Sequence, residues 1–323
     1  MEKIEKAQII FQAQDISKVM LSTGEITTAK LSGKFRHQTQ NYSKYPVVGD
    51  YVKGKLFEDL LIIESILERK SFLQRKVSGN RVEEQGIAAN IDQVFIITSL
   101  NEEFNLSRLD RYVTIVWDSG ALPIILLTKK DLITKKELAK IEGNLKKHFS
   151  GIPVFTATMF EEIGIELKEY FAPSTISAFI GSSGVGKSTL INKLLASYES
   201  TTSTIREKDG KGRHTTTNRQ LFYLENGAMI IDTPGMREVG IETVKASSLE
   251  HQFEEISILA KKCRLSDCKH LSEPGCMVKK SINDGTLDVS IFVSYKKMLK
   301  ELTYLKEKEK YQEIQLKKKM TKK

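Results

Sequence analysis
The sequence predicts a multidomain protein with a small all-β barrel, an α/β domain on a mostly parallel sheet, and an α-helical C-terminal unit stapled by a metal. Three observations predict it. Short apolar stretches broken by polar or glycine-bearing turns fill residues 5–67, and apolar strands alternate with helical patterns between 91 and 181. Beyond about residue 242 strand signals fade, leaving helical patterns, a Cys/His cluster and a lysine-rich tail. The expected units are therefore 1–67, 68–241 and 242–323.

In the first unit, QIIFQA, KVML, EITTAKL, PVVGDYV and LLIIESIL are separated by turns at 22–24, 32–33 and 49–50, the pattern of about five short strands. A barrel of that size suits an oligonucleotide-binding (OB) fold. A basic connector, RKSFLQRKVSGNR, leads out of it. There follow a strand IDQVFIITSL, a helix near 107–118, a strand LPIILLT, a helix near 134–149, a strand IPVFTAT, a helix ending near Phe171 and a strand ISAFIG. Strands alternating with helices require crossover connections, hence a parallel sheet covered on both faces. Thr134 and Glu137 form a capping-box pattern that starts the second of these helices.

At 323 residues, 40% hydrophobic and 28% charged, the chain can bury a sizeable core in two or three domains. No stretch approaches the roughly 18–20 apolar residues of a membrane span, and MEKIEKAQIIF lacks the apolar core of a signal peptide. A cytoplasmic protein without membrane partners is expected, and a monomer. The net charge of +9 is uneven, because residues 296–323 hold eleven Lys against four Glu. Such a run reads as a solvated helix face or as a nucleic-acid contact.

The run Gly181, Ser182, Ser183, Gly184, Val185, Gly186, Lys187, Ser188 follows the strand-like ISAFI and, with Thr189, opens a helical segment. This is the setting of a phosphate loop: glycines let backbone N–H groups close around phosphate oxygens, and the helix N-terminus adds a positive dipole. Lys187 would reach the β- and γ-phosphates and the Ser188 hydroxyl would ligate Mg²⁺. In AMIIDTPG, Asp232 ends an apolar strand and Gly235 follows three residues on, the DxxG of a nucleotide switch. Asp232 would hold the Mg²⁺ shell and the Gly235 N–H would sense the γ-phosphate. Between them GKGRHTTTNR has no periodicity and offers Thr215, Thr216 or Thr217 as a first-switch Mg²⁺ ligand, with Thr216 preferred.

Base selection falls to Thr128, Lys129, Lys130 and Asp131. The Asp131 carboxylate can accept from guanine N1–H and the exocyclic amine, and Lys129 can lay its stem along the ring. Thr128 stands where the familiar NKxD motif has Asn, which weakens the motif's grip on the phosphate loop. Thr156 and Ala157 resemble the SA element whose N–H reaches guanine O6. These base-reading residues precede the phosphate loop, the reverse of the usual order, as a circular permutation would produce. The second switch, ending near Arg237, then feeds directly into the third unit. Met236 stands where many GTPases carry a water-orienting Gln, and His214 is the internal candidate to position or deprotonate water.

All three cysteines lie with a histidine in the pattern Cys263-x4-Cys268-x-His270-x5-Cys276. Three thiolates and one imidazole fill a tetrahedral Zn²⁺ shell with no position left for water, so the metal should be structural.

ANIDQVFI, TKKD, GSSGVGKSTLIN, GRHTTT, DTPGMRE and the Cys/His spacing together resemble the ribosome small-subunit-dependent GTPase A family, also called RsgA or YjeQ. The resemblance runs from about residue 40 to 295. It implies an OB barrel, a circularly permuted GTPase domain and a zinc-binding C-terminal domain. It also implies a GTPase that binds the small ribosomal subunit and its rRNA, and is stimulated by it late in that subunit's maturation. It assigns 128–131 to guanine, 181–188 to phosphates, His214 to catalysis and the Cys/His set to zinc. Two rival readings are an RNA-binding module in which GTP only sets conformation, and a GTPase acting on a non-ribosomal partner.

Overall fold
The structure is a computed structural model; it describes residues 3–13, 16–39, 44–77, 83–101, 104–158, 160–197, 219–233, 241 and 244–320. Strands β1 (Lys3–Ala13), β2 (Ile16–Leu21), β3 (Ile26–Leu31), β4 (Tyr51–Phe57) and β5 (Leu60–Ile66) pair in the closed order β1-β2-β3-β5-β4-β1. β3 and β5 run parallel, and the chain crosses between them through α1 (Gly33–Gln38) and β4. Ile9, Val19, Ala29, Val52, Leu61 and Ile63 fill the interior. This is the expected OB-type barrel.

The fourth strand starts at Tyr51, five residues later than PVVGDYV suggests. Pro46 has no N–H for a ladder, and 47–50 form a turn in which Asp50 Oδ2 accepts from Val47 N–H at 2.7 Å. Gly49 has φ +92°, and a Cβ there would sit 2.2 Å from the Ala89 carbonyl oxygen, so the turn requires glycine. The described part of the basic connector carries a strand. It forms β6 (Phe72–Val77), paired antiparallel with β7 (Glu83–Ala89), and Arg69 at its start forks onto Asp50 at 2.8 and 2.7 Å.

The α/β unit contains β8 (Gln93–Ser99), α2 (Leu106–Ser119), β9 (Leu122–Thr128), α3 (Lys135–His148) and β10 (Val154–Thr156). It continues through α4 (Ile165–Lys168), β11 (Ile176–Gly181), α5 (Lys187–Ser197), β12 (Arg219–Tyr223) and β13 (Met229–Asp232). Their order in the sheet is β10-β9-β8-β11-β13-β12, parallel except for β12. Side chains alternate between two cores, as strands buried on both faces must. Val94, Ile96, Ala178 and Ile180 face one core, and Phe95, Ile97 and Phe179 the other. Thr134 and Glu137 cap α3 reciprocally, as the sequence predicts.

β12 also pairs with β1, at Phe11↔Gln220 and Gln12↔Arg219, so barrel and α/β sheet form one continuous sheet. The C-terminal unit is helical: α6 (Ala246–Gln252), α7 (Glu254–Ala260), α8 (Met277–Asn283) and α9 (Val289–Met320). Its Leu249, Phe253, Val278, Met298 and Leu302 share a core with Tyr112, Val113 and Val116 of α2. Among the described residues no helix is long and apolar enough to cross a membrane.

Candidate nucleotide and metal sites
β11 lies between β8 and β13 at the centre of the parallel sheet, and the loop at its C-terminal end is the glycine-rich run. Ligands of open α/β sheets bind beyond the carboxyl ends of such strands. Gly184 and Gly186 hold φ of +81° and +94°, and a Cβ on Gly181 would lie 2.5 Å from the Ile97 carbonyl oxygen. The loop thus takes a path that other residues resist, and Lys187 opens α5 behind it.

Lys187 is buried, with Nζ 3.4 Å from Asp232 Oδ1 at the end of β13. Burial pulls its pKa below the usual lysine value, and the Asp232 carboxylate opposes part of that shift. Asp232 Oδ1 is itself buried, and among the described residues Lys187 is the group that faces it. At 3.4 Å the pair is long, and a buried carboxylate oxygen held only so is left with unused acceptor capacity. Beside a phosphate loop it suits a cation, and Ser188 stands at the same helix start.

A cavity of about 300 Å³ opens next to the loop, lined by Thr128, Lys129, Asp131, Ala157, Thr158 and Gly184 among others. Its size and mainly apolar lining suit a planar base held by a few polar groups. Lys129 takes a left-handed turn, φ +58°, which bends the chain from β9 into the cavity wall. The Thr128 hydroxyl donates to the Val185 carbonyl at 2.6 Å, so the shorter residue still ties the base loop to the phosphate loop. Lys130 turns aside to pair with Glu161 at 2.5 Å and is not among the lining residues.

The second base element ends the β9–β10 ladder. Ala157 donates its N–H to the Leu127 carbonyl at 2.8 Å, continuing the β9–β10 ladder, and is not available to a base. Thr156 lies on β10 and outside the cavity lining. Thr158 lines the cavity beside Ala157, and its hydroxyl donates to Asp131 Oδ1 at 2.8 Å. Phe160, Leu132 and Lys193 also line the cavity, though the sequence reading passed over them. Lys193 on α5 donates to the Thr158 carbonyl at 3.4 Å, a contact no local pattern announces. Gly235, Met236, His214 and the threonines Thr215, Thr216 and Thr217 lie outside the described residues.

A second cluster sits in the helical unit. One donor atom each from Cys263, Cys268, His270 and Cys276 lies within 4.8 Å of the others. Cys263 Sγ is 3.9 Å from Cys276 Sγ, and His270 Nδ1 is 3.3 Å from Cys276 Sγ. Two thiolates 2.3 Å from one tetrahedral centre lie about 3.8 Å apart, so the set fits a metal ion. Met277 N–H points at Cys263 Sγ and Lys279 N–H at Cys276 Sγ, both at 3.4 Å.

A phosphate loop on the central strand, an aspartate-walled cavity beside it and a sheet entered out of the usual order define a circularly permuted P-loop GTPase. The chain belongs to the RsgA GTPase family, whose sequence model matches residues 66–242. A model described as "50S ribosome-binding GTPase" matches residues 176–313. "Small ribosomal subunit biogenesis GTPase RsgA 2" of Lactiplantibacillus plantarum is 44% identical over 92% of this chain and 83% of its own length. "Small ribosomal subunit biogenesis GTPase RsgA 1" of Listeria innocua is 42% identical over 90% of this chain and 82% of its own. Among solved structures, YjeQ from Thermotoga maritima superposes with a TM-score of 0.70 at 28% identity, covering 93% of this chain and 99% of that one. A structure described as "YloQ, a circularly permuted GTPase" gives 0.68 over 93% and 96%; at 24% identity it speaks for the fold alone.

Proposed function
We propose that this protein binds the small ribosomal subunit through its rRNA and hydrolyses GTP to GDP during late maturation of that subunit. The observation that carries the reading is the Asp131 cavity opening beside the phosphate loop in a chain of the RsgA family. Asp131 accepts from the guanine edge, steadied by Thr158. Residues 181–189 wrap the phosphates, with Lys187 supplying charge. When bound, Mg²⁺ neutralises charge developing on the β- and γ-phosphate oxygens. Ser188, Asp232 and Thr216 hold it, Gly235 senses the γ-phosphate, and His214 orients the attacking water. The Cys/His set holds one structural Zn²⁺, the ion best matched to three thiolates and an imidazole. The division of labour follows 1–67, 68–241 and 242–323, in a cytoplasmic monomer with the barrel and the zinc unit meeting rRNA.

Turnover of GTP with and without purified small subunits tests the proposal. Stimulation supports it. Hydrolysis indifferent to subunits points to another partner, and binding without hydrolysis in either condition leaves GTP as a conformational ligand only. His214→Ala should retain nucleotide binding and slow turnover by about 100-fold or more, the usual range for a lost general base.

A further inference from the structure
The Ser182 side chain of the phosphate loop is held from outside the cavity by α2. Arg108 Nη1 donates to Ser182 Oγ at 2.9 Å, and Tyr112, one helical turn further on, is hydrogen-bonded to the same hydroxyl. A different stripe of α2 faces the C-terminal helices. Arg111 Nη2 meets Glu301 Oε2 of α9 at 2.8 Å, and Ser107 Oγ accepts from Lys297 Nζ at 2.9 Å. Thr114 is hydrogen-bonded to Gln252 of α6, and Asp118 Oδ1 accepts from Lys245 N–H at 2.9 Å and Ser248 Oγ at 2.7 Å. Positions 108 and 112 share one face, while 107, 111, 114 and 118 recur at helical spacing on another. Leu109, Val113 and Val116 fix the helix in the core, so it moves as a body or not at all.

We infer that α2 is a strut between the phosphate loop and the C-terminal helices, and that Arg108 is the positioning residue at its inner end. Docking of α6 and α9 sets the place of α2, and Arg108 with Tyr112 passes that placement to Ser182. The inference rests on reading the cavity as a guanine-nucleotide site. It gives the C-terminal unit a route to the phosphates through packed side chains, separate from the covalent link at 234–243. A surface engaging the C-terminal unit can then bias nucleotide affinity through one rigid element.

The test uses the full-length chain and a fluorescent GDP analogue, with the ADP analogue as control. Wild-type protein that prefers neither nucleotide overturns the site reading and says nothing against the strut's geometry. Given guanine preference, Arg108→Ala should weaken GDP binding about tenfold and Arg108→Lys should recover part of it. Glu301→Gln, remote in sequence and outside the cavity lining, should weaken GDP binding about threefold in the wild-type background and not at all in Arg108→Ala. Ser182→Ala, which removes the acceptor from the loop side, should likewise abolish the effect of Glu301→Gln and serves if Arg108→Ala fails to fold. A Glu301→Gln variant that lowers thermal stability while leaving GDP affinity unchanged, or whose effect adds to that of Ser182→Ala, overturns the strut.

Discussion

Asp131 is oriented before any base arrives, because the Thr158 hydroxyl already occupies one lone pair of Oδ1 at 2.8 Å. The remaining acceptor sites face the cavity, and two charge-assisted hydrogen bonds to a guanine edge would contribute about 1.5–3 kcal/mol each. Asp131→Asn keeps an acceptor for the N1–H but places a donor opposite the exocyclic 2-amine. Affinity for GDP should fall by about 100-fold or more, and xanthosine diphosphate, which presents an acceptor there, should bind better than GDP; competition binding measures both. Thr128→Val tests the neighbouring tie. Losing the 2.6 Å bond leaves the buried Val185 carbonyl without this donor, so stability should fall by about 1–2 kcal/mol in denaturant unfolding, with weaker nucleotide binding. At this scale the sequence was readable where chemistry fixes a residue type. Gly184, Gly186 and Lys187 admit few substitutes. It was coarser at Thr156 and Ala157, where a two-residue pattern has no register of its own and only Ala157 lines the cavity. The end of the β9–β10 ladder decides which N–H is free, and that is a pairing property.

Among the elements, the loop between α7 and α8 has little apolar material of its own. Cys276 is buried, but Leu265 and Leu271 are exposed, so side-chain burial alone does not close the loop. The four ligand atoms, brought within 4.8 Å, supply the missing term. Removing the metal with a strong chelator should release one equivalent of zinc per chain. Amide protection across 261–283 should then drop by at least about tenfold, while the β8–β11 amides keep theirs. Equal loss in both regions would make the metal a global determinant, and no loss would make it dispensable. Cys268→Ser should reproduce the chelated state. Elements were legible to the extent that they were local. The α3 capping box came out at Thr134 and Glu137, and the five barrel strands were all present. In PVVGDYV the turn expected at 49–50 is present, with Gly49 at positive φ, but the apolar residues before it belong to that turn and not to the strand, which starts at Tyr51.

At the scale of the whole molecule, the barrel closes the edge of the GTPase sheet. β12 is the last strand of the order β10-β9-β8-β11-β13-β12, and without β1 one side of it would present unpaired N–H and C=O groups. β1 covers that edge at Phe11↔Gln220 and Gln12↔Arg219, reinforced by the Tyr223 hydroxyl on Gln8 Oε1 at 2.6 Å. Nothing local in QIIFQA or RQLFY announces this pairing, since partners 200 residues apart leave no periodic trace. An exposed flat edge invites pairing with another chain. A chain shortened to 68–323 should therefore self-associate in a concentration-dependent way, seen as a rising mass in light scattering. Full-length protein should stay at one mass over the same range. Tyr223→Phe keeps the strands but removes the hydrogen bond, so it should cost about 1 kcal/mol and leave the mass unchanged. A shortened chain that stays monodisperse and unfolds with undiminished stability would show that the β12 edge needs no cover.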